Sequence, residues 1–257
     1  MNFIISINTI VTFIILITFS ESFTVVNRGL TSLQNYKLDK NIFHNHHQRI
    51  ITKNKALNLF GDLFEEAGPL GKGITVGKVQ VALNSYDRSS KSITGILESK
   101  TRNVGDSPEQ LSRLTNDVCL ALLRKQDEWI AAASDSKHFK TDDAGKAESL
   151  FNDWSNREAA KFEKEYIPGA NSEEKGGGPT VVVVSLVIEI KGDETNFDGA
   201  GYSSSKTRDV LASIAADCLV DDGYCLNASE IFWVPGEKNE VLSRNDIILD
   251  FPELIDL

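Results

Sequence analysis

The sequence predicts an α+β domain built on a small, three-stranded sheet (strands near 74–84, 180–191 and 230–234) packed with several helices. Three observations carry that prediction. Thr180 to Lys191, TVVVVSLVIEIK, is a β-branched run enclosed by Gly176, Gly177, Gly178 and Pro179 before it and Gly192 after it. Side chains that are stiff at χ1 suit a pleated surface, so this run reads as a central strand and not as a buried helix. Ile74 to Leu83 alternates, with Val79, Val81 and Leu83 facing one way and Lys78 and Gln80 the other, as a half-buried strand does. Between these runs lie stretches whose apolar residues recur every three to four positions, the period of an amphipathic helix.

The totals bound what such a domain can be. With 41% hydrophobic and 25% charged residues in 257, the chain can bury one full core or two small ones. Its net charge of -10 is unevenly spread: residues 1–55 hold six Lys/Arg and two Asp/Glu, which leaves 21 basic and 35 acidic residues, net -14, in the remainder. A folded part that acidic is a poor binder of nucleic acid or of an anionic membrane, so no nucleic-acid partner is expected and membrane association is left open. Cys119, Cys218 and Cys225 are too few for a disulfide scaffold and form no C-x-x-C pair; Cys218 and Cys225 could close a small loop, but free thiols are the reading adopted.

Met1 to Ser22 contains an apolar run, Ile4 to Phe19, and reads as a signal peptide (1–22). Retention of that run as a membrane anchor is the alternative, although it is short for a span. From Phe23 to about residue 55 the chain is basic, hydroxylated and nearly free of acid, the composition of a transit peptide. A signal peptide followed by such a segment, with Phe at the junction, resembles the bipartite presequence of algae whose plastid lies inside the secretory route. That resemblance implies delivery to a secondary plastid; Glu21, where small residues are usual, is a departure from the pattern. His44, His46 and His47 lie in this segment without a Cys or carboxylate cluster, so no metal site is read there.

The remaining elements follow in order. Residues 56–73 form a short amphipathic helix, ALNLFGDLFEEA, and a glycine-rich hinge, GPLGKG, which lacks the spacing of a phosphate loop. The domain proper runs over 74–257. A helical stretch with Ile93, Ile96 and Leu97 follows the first strand. Ser107, Pro108 and Gln110 launch a helix carrying Leu111, Leu114, Val118 and Leu122, with Cys119 beside the stripe as a core residue. Thr141-Asp142-Asp143 caps a helix with Ala147, Leu150, Phe151 and Trp154. Ser155 with Glu158 reads as a second capping box, so the chain turns there and restarts with Phe162 and Tyr166. After the central strand come a polar loop, a helix with Val210, Leu211, Ile214 and Cys218 inward, the strand EIFWV, and a short final helix capped at Ser243. A strand, a helix and a strand suggest a parallel crossover between 180–191 and 230–234. The even residues of the central strand, Val182 to Ile190, should face Leu114, Val118, Ile214 and Trp154. Its odd residues Val181, Val183 and Val187 have no obvious cover and form a candidate interaction face.

Little in the sequence assembles into chemistry. Gly199-Ala200-Gly201-Tyr202-Ser203-Ser204 is a G-x-G-x-x-S between a strand and a helix, so Gly199, Gly201 and Ser204 are the candidate cofactor-binding residues, for a nucleotide phosphate. The glycines come eight residues after the strand and no partner acid is evident. His138 is the only histidine after residue 55 and lies in an expected loop, with no nucleophile or metal motif around it. Asp193, Glu194 and Asp198 do not fit a calcium loop, because Asp198 stands where glycine is needed. Asn227-Ala228-Ser229 is a glycosylation sequon read as incidental. No catalytic residue, metal or cofactor is therefore assigned.

Several blocks together resemble a known family: GKVQVALNS, LTNDVCLALLRKQDEWIAA, AESLFNDWSNREAAKFEKEY, TVVVVSLVIEI and EIFWVPGEKNEVLSRNDIILDFPELIDL. From about Ile74 to Leu257 they are similar to the plant, algal and cyanobacterial family of domain of unknown function 1517 (DUF1517). Its most specific pieces are LALLR followed by a Trp, and the ending in which a Trp-containing strand and proline precede Leu-Ser and Asp-Phe-Pro-Glu-Leu. Members often carry a membrane-spanning helix and a glycine-rich stretch ahead of the domain; here the long apolar run lies in the presequence. Arg124 to Asp127 lacks the proline usual before the Trp, which implies a helix that runs on. The family has no established catalytic residues to carry over. The reading is a non-enzymatic interaction or accessory domain with a plastid protein partner, in the stroma or at the thylakoid surface. The alternative is a small-molecule or nucleotide-binding enzyme using the Gly199–Ser205 loop.

Overall fold

The computed structural model describes residues 67–102, 104–105, 107–161, 178–236 and 240–257. The expected signal peptide, transit-like segment, histidines 44, 46 and 47, all but the last residue of the Ala56–Ala67 helix, and Phe162 and Tyr166 lie outside the described residues. Five strands, β1 (Ile74–Ser85), β2 (Trp129–Phe139), β3 (Thr180–Lys191), β4 (Leu226–Val234) and β5 (Ile255–Asp256), form one sheet in the order β4-β3-β1-β2-β5. Every pairing is antiparallel. Among the described residues the α-helices are α1 (Ile93–Thr101), α2 (Pro108–Arg124), α3 (Ala144–Ala160), α4 (Ser204–Asp217) and α5 (Arg244–Asp250). The α+β class stands, but the sheet has five strands and not three.

The two extra strands escape pattern reading for different reasons. β2, WIAAASDSKHF, follows an amphipathic helix after one short 3-10 turn and carries three alanines, Ala131 to Ala133, which are good helix formers. The helix nevertheless stops at Arg124, so it does not run on. The Lys125 N–H donates to the carbonyls of Leu122 and Leu123, and the Trp129 indole Nε1–H donates to Leu122 O at 3.1 Å. A carbonyl left over at the helix end is thereby satisfied by the first side chain of the next strand. The alanines then lie flat between strand and helices, with Ala132 paired to Val81 and Ala131 to Ala82. β5 has two residues, too few for any period to register.

β3 is central, as its composition requires, flanked by β1 and β4. Its even residues, Val182, Val184, Leu186, Ile188 and Ile190, are buried with Val118 and Leu122 of α2 and with Val210, Leu211 and Ile214 of α4. Its odd residues are covered as well, which corrects the expectation of an open face at Val181, Val183 and Val187. Val181 and Val183 pack with Leu242, Ile247 and Phe251, and Val187 with Phe151 and Phe232. Trp154 belongs to this second side, packed with Phe151, and not to the even side. The described residues of the domain thus form three layers, α1, α2 and α4 on one face of the sheet and α3 and α5 on the other.

Two further expectations are corrected. β3 and β4 are antiparallel neighbours, because the segment carrying α4 leaves and returns at the same end of the sheet, where the Lys191 N–H donates to Cys225 O at 2.8 Å. Ser155 and Glu158 do not restart a helix: α3 is continuous from Ala144 to Ala160, and both residues are buried within it. Gly68 to Gly73 forms a turn fastened to the loop after β3, with the Asp193 and Glu194 N–H groups donating to Leu70 O.

Candidate functional site

The Gly199–Ser205 loop passes beside the β2–β5 edge of the sheet. Gly199 and Gly201 have φ of 106° and 94°, and a Cβ on Gly201 would lie 2.3 Å from Ala132 O. The loop is anchored upstream by Phe197, whose buried ring lies over Gly77 of β1. A phosphate site needs free N–H groups, and here most are spent within the chain. Ala200 N–H donates to Ser134 Oγ at 3.2 Å, Gly201 N–H to Thr207 Oγ1 at 3.0 Å, and Tyr202 N–H to Gly199 O at 3.2 Å. Ser203 caps α4, its Oγ accepting from Lys206 N–H at 3.1 Å and its carbonyl from Thr207 N–H at 2.9 Å. Ser204 is the first helical residue. The glycines are there for the turn and the close approach to Ala132.

His138 is corrected from a loop to strand β2, where its register partner is Thr75 and its Nδ1 lies 3.2 Å from Thr75 Oγ1. It is exposed. Among the described residues there is no group of three or more His, Cys, Asp or Glu placed to hold a metal ion. The three cysteines are free and buried. Burial pushes the Cys119 thiol far above its usual value and Cys218 up to about 12, which makes neither a nucleophile. Asn227 of the sequon donates from Nδ2 to Glu189 Oε1 at 3.0 Å at the start of β4.

Sequence reading missed two features of the second face. The first is a polar belt between its two apolar clusters. Glu158, whose side chain is 2% exposed, accepts from Lys78 Nζ at 3.3 Å, Lys161 Nζ at 3.2 Å and Gln80 Nε2 at 3.0 Å. Lys161 also meets Glu253 at 2.7 Å and the Phe251 ring at 4.3 Å, and Gln80 reaches Ser185 Oγ at 3.1 Å. Burial works to raise the Glu253 pKa, but the Lys161 hydrogen bond and charge, with Lys78 behind it, outweigh this and hold it below the ordinary carboxylate value. Glu230 of β4 projects to the same face and is raised by burial, the Ser155 hydroxyl pulling the other way. The alternation of Lys78 and Gln80 in β1 was the available signal; it marked a wet face, whereas the face is buried and the polar groups pair there.

The second feature is at the C-terminal segment. α5 caps itself through Ser243 and Asp246, a reciprocal capping box, and buries only Ile247. The next two residues, Ile248 and Leu249, are 68% and 76% exposed. Ile248 lines a groove of about 300 Å³ between α5 and the end of β2, together with Ile130, Ala131, Ile247, Phe251 and Leu254 and with Arg244 and Asp256, and Leu249 follows it on the helix. Ile255 and Leu257 at the sheet edge are also exposed. Among the described residues, four of the eight large exposed apolar side chains thus fall within the last ten positions, a concentration that scattered surface leucines do not produce.

These features define an antiparallel α/β/α sandwich whose buried Glu158 is paired within the domain and whose exposed aliphatic pair lies on its last helix. A family model described as protein of unknown function (DUF1517) matches residues 73–257, and the chain belongs to that family. It is also similar to Protein FLAP1 homolog A of Synechocystis sp., with 26% identity over 162 residues, covering 56% of this chain and 45% of the relative. The match thus spans less than half of that relative's length. No solved structure matches the chain.

Proposed function

We propose that the domain is a non-enzymatic interaction module of a plastid, in the stroma or at the thylakoid surface, and that it meets a protein partner through the α5 surface. The observation that carries this is the pair Ile248 and Leu249, held out of the core by a capped helix beside an apolar groove. Aliphatic side chains of that size lose on the order of 1.5–3 kcal/mol each by standing in water, which a partner recovers by covering them. The face first expected to serve, at Val181, Val183 and Val187, is closed by α3, α5 and the segment around Leu242. Plastid delivery is supported by the basic, acid-poor segment 23–55 behind an apolar run and is consistent with the relative in Synechocystis. Among the described residues no helix is long and apolar enough to cross a membrane.

A photo-crosslinking amino acid in place of Leu249, in the full chain, tests the module. In native plastid extract it should give one discrete adduct that disappears when Ile248→Glu is added. The absence of any adduct, with the protein sedimenting as a monomer, would refute the reading. The N-terminal residue of the native protein tests the address: it should lie beyond residue 22, and an intact Met1 would overturn delivery by a cleaved presequence.

A further inference from the structure

We infer that β5 is the contact edge between two copies of this chain, which join antiparallel across a two-fold axis at Ile255 into one continuous sheet. This rests on the interaction reading above and names its partner as a second copy. Among the described residues β5 ends the sheet, with β2 on one side and no strand on the other. It pairs Ile255 with Ala132 and Asp256 with Ala131, and Leu257 N–H donates to Ile130 O at 3.0 Å. Hydrogen-bonded and non-hydrogen-bonded pairs alternate along an antiparallel ladder, so Ile255 and Leu257 bond inward and Asp256 turns its N–H and C=O to the open side. An edge of that kind is a template for another strand.

Three features make this edge its own complement. Its surroundings are apolar: Ile248 and Leu249 are exposed on α5, and Tyr202, Ile255 and Leu257 are exposed at the edge itself, where a Cβ on Gly201 would lie 3.2 Å from Ile255 Cβ. Its charges are matched within the chain. Arg244 is 3.4 Å from Asp256 and Lys161 is 2.7 Å from Glu253, Asp246 accepts from Ser243 N–H at 2.7 Å, and Asp250 is engaged as well. Two copies of so acidic a domain repel through most of their surfaces, whereas here they meet without an unmatched charge on either side. The register completes the argument. With the two-fold at Ile255, that side chain meets the partner's Ile255 as a close, non-hydrogen-bonded pair, and Asp256 stands opposite the partner's Leu254 and not opposite a like charge. Asp256 N–H donates to the partner's Leu254 O, twice by symmetry, while Leu254 N–H stays on Phe251 O at 3.0 Å. A patch that complements itself is what an isologous dimer requires.

The test is sedimentation equilibrium of the purified full chain. It should show monomer and dimer, with association that tightens as salt screens the repulsion between two acidic domains. A residue on the axis faces its own copy, so Ile255→Glu and Ile255→Lys should each raise the dissociation constant at least about tenfold. An equimolar mixture of the two variants should restore association, because Glu then faces Lys. Ile255 is exposed, so both variants should keep the wild-type denaturation midpoint, and recovery in the mixture shows independently that they fold. A dimer indifferent to both substitutions, no recovery in the mixture, or association that weakens with salt would overturn the inference. A chain that stays monomeric at every concentration, while the Leu249 crosslink in extract joins it to a different protein, overturns the inference and leaves the interaction reading standing. If it stays monomeric and no crosslink forms, both fall.

Discussion

Replacing Glu158 by Gln removes one charge from the polar belt without changing its volume. Three donors converge on that carboxylate: Lys78 Nζ, Lys161 Nζ and Gln80 Nε2, at 3.3, 3.2 and 3.0 Å. A glutamine there keeps one acceptor and turns an N–H₂ group toward cations. Breaking a fully buried pair costs about 3–5 kcal/mol because a charge is left without compensation. Here both lysine side chains are 18% exposed and both retain Glu253, at 2.7 Å from Lys161 and 3.6 Å from Lys78. The expected loss is therefore lower, about 2–3 kcal/mol. In urea it appears as a lower midpoint with an unchanged slope, and on heating as a fall in Tm of about 4–12 °C for a domain of this size. The internal control is Asp153→Asn on the same helix, whose pair with Arg157 is shorter, at 2.8 Å, but has side chains 48% and 70% exposed. That change should cost less than about 0.5 kcal/mol. If Glu158→Gln and Asp153→Asn prove equally mild, the belt is solvated in solution and the reasoning from burial is wrong.

Three other outcomes follow from the same geometry. Gly77→Ala should destabilise by about 1–3 kcal/mol, because the added Cβ meets the buried Phe197 ring, and Phe197→Leu should restore part of the loss; additive losses in a double-mutant cycle would count against the contact. Glu230 has its folded pKa raised by burial, so the unfolded chain releases its proton first and folding loses stability as pH rises through the carboxylate range. Glu230→Gln should accordingly stabilise at pH 7, with the gain fading toward pH 4; a variant less stable at pH 7 would contradict this. Cys119, Cys218 and Cys225 should resist a thiol reagent at pH 8 in the native protein and react together on unfolding, and rapid labelling of any one before unfolding would contradict their burial.

Much of the fold was legible because local chemistry forced it. A run such as Val181 to Val184 has no good alternative to a strand, and Ser107-Pro108, Ser203 and Ser243 start helices wherever they stand, since each hydroxyl takes an N–H that the helix cannot satisfy itself. The same local rules misled at Ser155 and Glu158. Their spacing is that of a capping box, but helix α3 was already formed there, and the two side chains were free to face β1 and β4. Ala131 to Ala133 gave no strand signal: alanine carries so little preference for a sheet that pairing with Ala82 and Val81 decided the matter.

The candidate sites divide along the same line. Composition and spacing pointed to an acidic α+β domain without a complete catalytic motif, and the resemblance of its sequence blocks to a known family ran from the first strand to the last residue. Whether an apolar face is open, whether a glycine loop has N–H groups to offer, and whether a lysine is wet are questions about what lies opposite in space. Only the tertiary structure decided those. It closed the face at Val181, Val183 and Val187, spent the Gly201 N–H on Thr207, buried Glu158 between Lys78 and Lys161, and left Ile248 and Leu249 in water. The physical reason is that secondary structure is selected by neighbours along the chain, whereas exposure and hydrogen-bond satisfaction are selected by partners far from it in sequence.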